Sequence, residues 1–158
     1  MNSKSFSLKL NHKINSYKKS IKVDSDKSLS IRSFLIASIC QNISYTKNVL
    51  ESEDVLSAIS SLRKLGVKID KVNPKSYKIY GKGLGSLFIK KNSELNFGNS
   101  GTLARLLIGI LSTTPDIEVK IKGDHSLNKR SMKKLIELMS KFGAEFLPKK
   151  KYNFPLKL

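Results

Sequence analysis

Apolar residues fall at Leu29, Ile31, Phe34, Leu35, Ala37 and Ile39, and this broad face predicts a buried helix that opens in Asp24–Arg32 and runs through Cys40. A second helix is expected from Ser52, with Glu53 and Asp54 in its first turn, to about Leu65, where Gly66 ends it. A third follows the polar loop Gly98-Asn99-Ser100-Gly101-Thr102 and carries the apolar run Leu103–Leu111, broken by Arg105. A fourth follows Arg130-Ser131-Met132 and ends near Phe142-Gly143. Between the helices, strands are expected at Lys19–Val23, Tyr45–Leu50, Val67–Ile69, Ser76–Tyr80, Ile117–Lys122 and Ala144–Leu147, with another starting in Tyr152–Leu158. Asn73-Pro74 marks a turn that pairs two of these strands. Gly81-Lys82-Gly83-Leu84-Gly85 is a further turn; no helix follows it, so it is not read as a nucleotide loop.

The order strand, polar turn, helix, strand, helix, strands occurs twice. Ser28…Arg32 with Phe34-Leu35-Ile36 aligns with Gly101…Arg105 with Leu106-Leu107-Ile108, 73 residues later. Leu62-Arg63-Lys64-Leu65-Gly66-Val67 aligns with Met139-Ser140-Lys141-Phe142-Gly143-Ala144, 77 residues later. The pattern predicts an α/β (α+β) fold of two related units, about 19–94 and about 95–158, the second lacking its last strand or strands, behind a flexible basic start at 1–18.

The loop at 98–102 has the make-up of an anion seat. Glycine lets backbone approach a ligand closely, and the free N–H groups and positive dipole end of a helix start favour negative charge. Ser100 and Thr102 can cap the helix or offer hydroxyls, and Arg105 sits one turn in. Taken alone, the loop reads first as an ordinary helix cap with a surface arginine, and the anion seat comes second. The Lys27-Ser28…Arg32 stretch repeats the arrangement: a helix could present the three around one anion, or leave them as solvated charges on a capped helix.

Composition narrows the alternatives. The 158 residues are 39% hydrophobic, enough for a core, and no run is long enough to span a membrane. The single cysteine, Cys40, is expected to be a buried, inert thiol. His12 and His125 stand far apart without cysteine partners, so no metal site is expected. The start lacks the apolar core of a secretion signal, and a cytoplasmic location is expected. The net charge of +18 attracts anions, nucleic acid among them. Lysine supplies most of it and is spread along the chain, so the four arginines, Arg32, Arg63, Arg105 and Arg130, are more informative, because their donor fork matches phosphate and carboxylate. A basic nucleic-acid-binding module is the contrasting reading. Against it, no zinc, RRM or KH signature is present, and the aromatic residues mostly fall at core-like positions.

Three blocks together resemble the amino-terminal part of the 3-phosphoshikimate 1-carboxyvinyltransferase (EPSP synthase) family: Asp26-Lys27-Ser28-Leu29-Ser30-Ile31-Arg32, Gly98-Asn99-Ser100-Gly101-Thr102 with Arg105-Leu106-Leu107, and Gly123-Asp124-His125-Ser126-Leu127 with Arg130-Ser131-Met132. The order and spacing fit over roughly 19–158. The resemblance implies repeated βαβαββ units, of which about two are present, in an incomplete amino-terminal domain. It implies transfer of the enolpyruvyl group of phosphoenolpyruvate to the 5-hydroxyl of shikimate 3-phosphate with release of phosphate, without cofactor or metal, in a family that is typically monomeric. By this resemblance Lys27, Ser28 and Arg32 hold shikimate 3-phosphate, and Lys27, Gly101 and Arg130 hold phosphoenolpyruvate. Asn99, Thr102 and Arg105 support the loop.

The sequence departs from the family pattern at Asp24-Ser25, where Pro-Gly is usual, and at Ser131, where proline is usual. A later serine-rich loop and a second domain, with the groups for proton transfer, have no counterpart here. No catalytic residue is therefore assigned, and the chain is expected to need a carboxy-terminal part for activity. Marginal stability is expected for it alone, and a non-catalytic remnant is the remaining alternative.

Overall fold

A computed structural model describes residues 7–9, 11, 18, 20–21 and 23–158. The basic start at 1–18 lies largely outside the described residues, as do His12 and, from the expected first strand, Lys19 and Lys22; Ser20, Ile21 and Val23 belong to no strand.

Local caps set the helices. Helix α1 (Lys27–Ile39) begins where the Asp26 carboxylate accepts from Leu29 N–H at 2.6 Å. Helix α2 (Glu53–Lys64) carries Glu53 and Asp54 in its first turn and stops at Gly66, whose φ of +84° is a left-handed conformation that glycine adopts without strain. Helix α3 (Gly101–Leu111) starts at Ser100, whose buried hydroxyl accepts from Leu103 N–H at 3.3 Å. A short helix, α4 (His125–Lys129), capped by Asp124, precedes α5 (Lys133–Lys141).

Among the described residues the strands form two three-stranded sheets. In the first, β3 (Ser76–Tyr80) lies between β1 (Ile43–Thr46) and β2 (Lys68–Asn73), antiparallel to both. In the second, β5 (Lys120–Lys122) runs parallel to β4 (Glu94–Asn96), the two joined through α3, and antiparallel to β6 (Leu156–Lys157). Leu147 adds an antiparallel bridge on the other side of β6. In the first sheet the last strand, β3, thus lies between the two that precede it, whereas in the second β6 lies between β5 and the isolated bridge at Leu147.

Several boundaries differ from those read in the sequence. The strand expected at Tyr45–Leu50 is shifted to Ile43–Thr46, because its register with β3 ends at Thr46 opposite Tyr77 and Asn48 turns left-handed at φ +56°. The strand expected at Val67–Ile69 extends to Asn73, drawn out by pairing with β3 across the Pro74-Lys75 turn. Ala144–Leu147 contributes only its bridge at Leu147. The glycine turn after β3 caps α1: Lys82 N–H donates to Ser38 O at 2.9 Å and Gly83 N–H to Cys40 O at 2.8 Å. Cys40 is exposed rather than buried, since α1 ends at Ile39 and the extended backbone of Cys40 swings it off the helix face.

One core joins both units. Phe34 of α1 meets Tyr77 of β3 edge-on at 5.2 Å, and Phe97 meets Phe154 at 6.2 Å. Leu103, Leu107, Ile108 and Leu111 bury the inner face of α3 against this core. Leu29 and Ile36, on the opposite side of α1 from Phe34, are exposed, so the expected broad face is narrower than the apolar pattern suggested. Phe34, Tyr77, Phe97, Phe146 and Phe154 are buried, whereas Tyr45, Phe88 and Phe142 are exposed.

Candidate functional site: a cationic cleft at three helix starts

The starts of α1, α2 and α3 converge on a polar cleft of about 250 Å³ lined by Lys27, Asp54, Asn99, Gly101, Thr102, Arg105 and Arg130. Four separate stretches of chain therefore meet at one point, with Asp54 coming from the first turn of α2. Lys27 is brought there as the first residue of α1, Gly101 as the first of α3, and Arg130 as the residue that closes α4.

Each cation has a defined partner. Lys27 Nζ stands 2.8 Å from Asp54 Oδ2, in the first turn of α2. Arg130 donates to Asn99 Oδ1 at 2.9 Å and to Ser126 Oγ at 3.4 Å, and Arg105 donates to Gly101 O at 3.3 Å. Asn99 holds an arginine with a neutral acceptor, so the positive charge of Arg130 is oriented without being cancelled. Among the lining residues, three cations face the single carboxylate of Asp54.

Gly101 fixes how close a ligand can come. A Cβ built on it would lie 3.0 Å from Arg105 Nη1 and 3.2 Å from Arg130 Nη1, so both guanidinium groups sit over its backbone. The first-turn amides of Gly101 and Thr102 have no acceptor within the helix and lie at the positive dipole end of α3. Backbone amides, two planar guanidiniums and an ammonium around a small polar space make a seat for a phosphorylated or carboxylated small molecule.

Of the residues singled out in the sequence, Lys27, Asn99, Gly101, Thr102, Arg105 and Arg130 line this cleft. Ser28 and Arg32 do not; Ser28 is half-buried and Arg32 exposed on α1. Asp54 was read only as a first-turn acid favouring its own helix, and nothing local says that it faces a lysine 27 residues earlier. Ser126 lies in the Gly123–Leu127 stretch, where the resemblance gives it no role. Among the described residues, no three His, Cys, Asp or Glu side chains cluster as a metal site would require, and no helix is long and apolar enough to cross a membrane.

Comparison with known proteins gives a consistent result. The family model for EPSP synthase (3-phosphoshikimate 1-carboxyvinyltransferase) matches residues 12–157. The 3-phosphoshikimate 1-carboxyvinyltransferase of Syntrophomonas wolfei is 37% identical over 147 residues, covering 93% of this chain and 34% of the relative. That of Leptospira interrogans is 40% identical over 139 residues, covering 87% and 31%. The structure of EPSP synthase from Acinetobacter baumannii superposes with a TM-score of 0.79 at 32% identity, over 87% of this chain and 31% of that one. The chain thus spans about a third of the length of the relatives it matches.

Proposed function

Because the chain belongs to the EPSP synthase family, we infer that it is the amino-terminal part of a transferase that moves the enolpyruvyl group of phosphoenolpyruvate onto the 5-hydroxyl of shikimate 3-phosphate, releasing phosphate. The observation that carries this reading is the convergence of Lys27, Gly101 and Arg130, from three distant blocks, around one cationic cleft.

In this reading the chain supplies binding and charge. Arg130, held in orientation by Asn99, clamps the phosphate of phosphoenolpyruvate in fork geometry. The Gly101 amide donates to the same anion. Lys27 stands between the two substrates as a point charge, with Ser28 and Arg32 on the same helix holding shikimate 3-phosphate. Negative charge that develops on oxygen during addition and phosphate departure meets cations already in place, which lowers the barrier without reorganisation. Proton transfer needs a base within reach of the reacting hydroxyl. The one carboxylate in the cleft, Asp54, is paired with Lys27, so the base is assigned to the part of the transferase beyond this chain.

The test is a fused chain in which these 158 residues replace the matched region of the Syntrophomonas wolfei relative, with phosphate release from phosphoenolpyruvate followed as a function of shikimate 3-phosphate. Turnover is expected, and Lys27→Ala or Arg130→Ala should each lower kcat/KM by about 100-fold or more, the loss of charge-assisted contacts to phosphate. Absence of turnover in the fused chain, or near-normal kinetics in both variants, overturns the reading.

A further inference from the structure

Of the three cations that line the cleft, only Lys27 is held by a charge. Arg130 donates to the neutral side-chain oxygens of Asn99 and Ser126, and Arg105 donates to the carbonyl of Gly101. Lys27 instead meets the Asp54 carboxylate at 2.8 Å. A carboxylate that lines an anion seat repels the ligand and competes with it for the cation. On charge alone, Asp54 weakens the seat it lines.

Its surroundings explain its presence. Lys27 is the first residue of α1 and Asp54 lies in the first turn of α2, and these two helices pack against each other. The Asp54 side chain is 17% exposed, the least of any ion-pair member among the described residues, whereas that of Lys27 is 48% exposed. The acid is fixed by packing, and the lysine is the partner with room to move. A lysine is a point charge on a flexible four-carbon stem, and a free one spreads over many rotamers. Its ammonium has three donors, so one given to Asp54 leaves two for the cleft.

We infer that Asp54 is a positioning residue: its carboxylate accepts from Lys27 and aims the remaining donors of the ammonium at the anion. What it supplies is the acceptor, and its negative charge opposes ligand binding. This rests on reading Lys27 as a group that binds the substrates of enolpyruvyl transfer.

Asp54→Asn keeps an acceptor of the same reach without the charge, and Asp54→Ala keeps neither. Both variants lose the repulsion, so the difference between them isolates the aim. In the fused chain, calorimetry is expected to show phosphoenolpyruvate bound about tenfold tighter by Asp54→Asn than by Asp54→Ala. In a Lys27→Ala background the two should agree within about twofold, because no ammonium remains to be aimed. Kinetics give a second signature. Asp54→Ala should lower kcat by about tenfold or more while KM for phosphoenolpyruvate moves by less than about threefold, since lost aim and relieved repulsion offset each other. Asp54→Asn should keep kcat within about threefold of the parent.

Equal affinities of the two variants overturn the proposal. So does a difference that persists without Lys27, which would mean that residue 54 braces the fold or touches the ligand itself. A fall in kcat as large for Asp54→Asn as for Asp54→Ala also overturns it, by making the charge the working part. Turnover by the fused parent separates this inference from the functional reading. The Lys27-dependent difference in affinity without turnover sustains the role of Asp54 and sinks the reaction; turnover with equal affinities does the reverse. A fused parent that binds no phosphoenolpyruvate sinks both.

Discussion

A methyl group at residue 101 would stand between two guanidiniums, at 3.0 Å from Arg105 Nη1 and 3.2 Å from Arg130 Nη1. Both are the far ends of flexible side chains, so Gly101→Ala should leave the fold intact while pushing the cations off the anion seat. The expected result is an unchanged melting temperature and phosphoenolpyruvate binding about tenfold or more weaker by calorimetry on the fused chain, the loss of roughly one charge-assisted hydrogen bond. Binding as tight as in the parent would mean that the backbone at Gly101 does not meet the ligand. This residue was legible in the sequence, because a glycine at a polar helix start announces close approach. Asp54 was not. Its partner Lys27 comes from another helix, and only packing of α1 against α2 creates the pair.

Among the elements, the glycine turn after β3 shows how one segment completes another. Lys82 and Gly83 satisfy carbonyls at the end of α1, and a Cβ on Gly81 would collide with the backbone oxygens of Cys40 and Ala37. Backbone cannot yield as a side chain does, so Gly81→Ala should lower the melting temperature by about 10 °C. Gly109, inside α3 with no described atom within 4 Å of its built Cβ, provides the opposite sign: Gly109→Ala should raise it by about 2 °C through helix propensity alone. The first sheet is tied to the start of α2 by Tyr77, whose hydroxyl donates to Glu51 Oε1 at 2.6 Å while Lys71 Nζ lies 2.8 Å from the same oxygen. Burial and the hydrogen bond to Glu51 push the Tyr77 phenol up to about 12 from its ordinary 10. Between those two values the unfolded chain gives up this proton and the folded chain keeps it, so stability falls as pH rises from about 10 to about 12. Tyr77→Phe removes that alkaline loss and should lower the neutral-pH melting temperature by about 3 °C. Parallel denaturation curves for parent and variant across the alkaline range would show that Tyr77 carries no such linkage. Hydrogen bonds from Lys71 and Tyr77 hold the Glu51 carboxyl below its ordinary 4.5, so its contribution is present above that value and fades as pH falls through the lowered one.

For the whole molecule, a net charge of +18 makes self-repulsion a general cost of the compact state and salt a general stabiliser. A ligand seated in the cleft acts differently, by mass action. At about ten times its dissociation constant it should add roughly 1.4 kcal/mol, about 3 °C. Phosphoenolpyruvate is therefore expected to raise the melting temperature of the fused chain beyond sodium chloride at matched ionic strength, and Arg130→Ala should abolish the excess. An equal rise with both salts would mean that the charge is screened and no seat is filled.

The sequence by itself determined the local features. Asp26 and Ser100 start their helices, Gly66 and Gly143 stop theirs, and the cleft residues Lys27, Gly101, Arg105 and Arg130 stood out by type and spacing, whereas the short helix capped by Asp124 was not foreseen. Caps and left-handed glycines act within one turn of chain, so their signals are complete in a few neighbouring letters. Tertiary structure alone decided which of these residues share a cleft. It also set where β1 and β2 end, turned Cys40 outward, and left Phe142 uncovered while Leu65 is buried. Each of those outcomes depends on register and packing between segments tens of residues apart, and no short stretch of sequence encodes the partner it will meet.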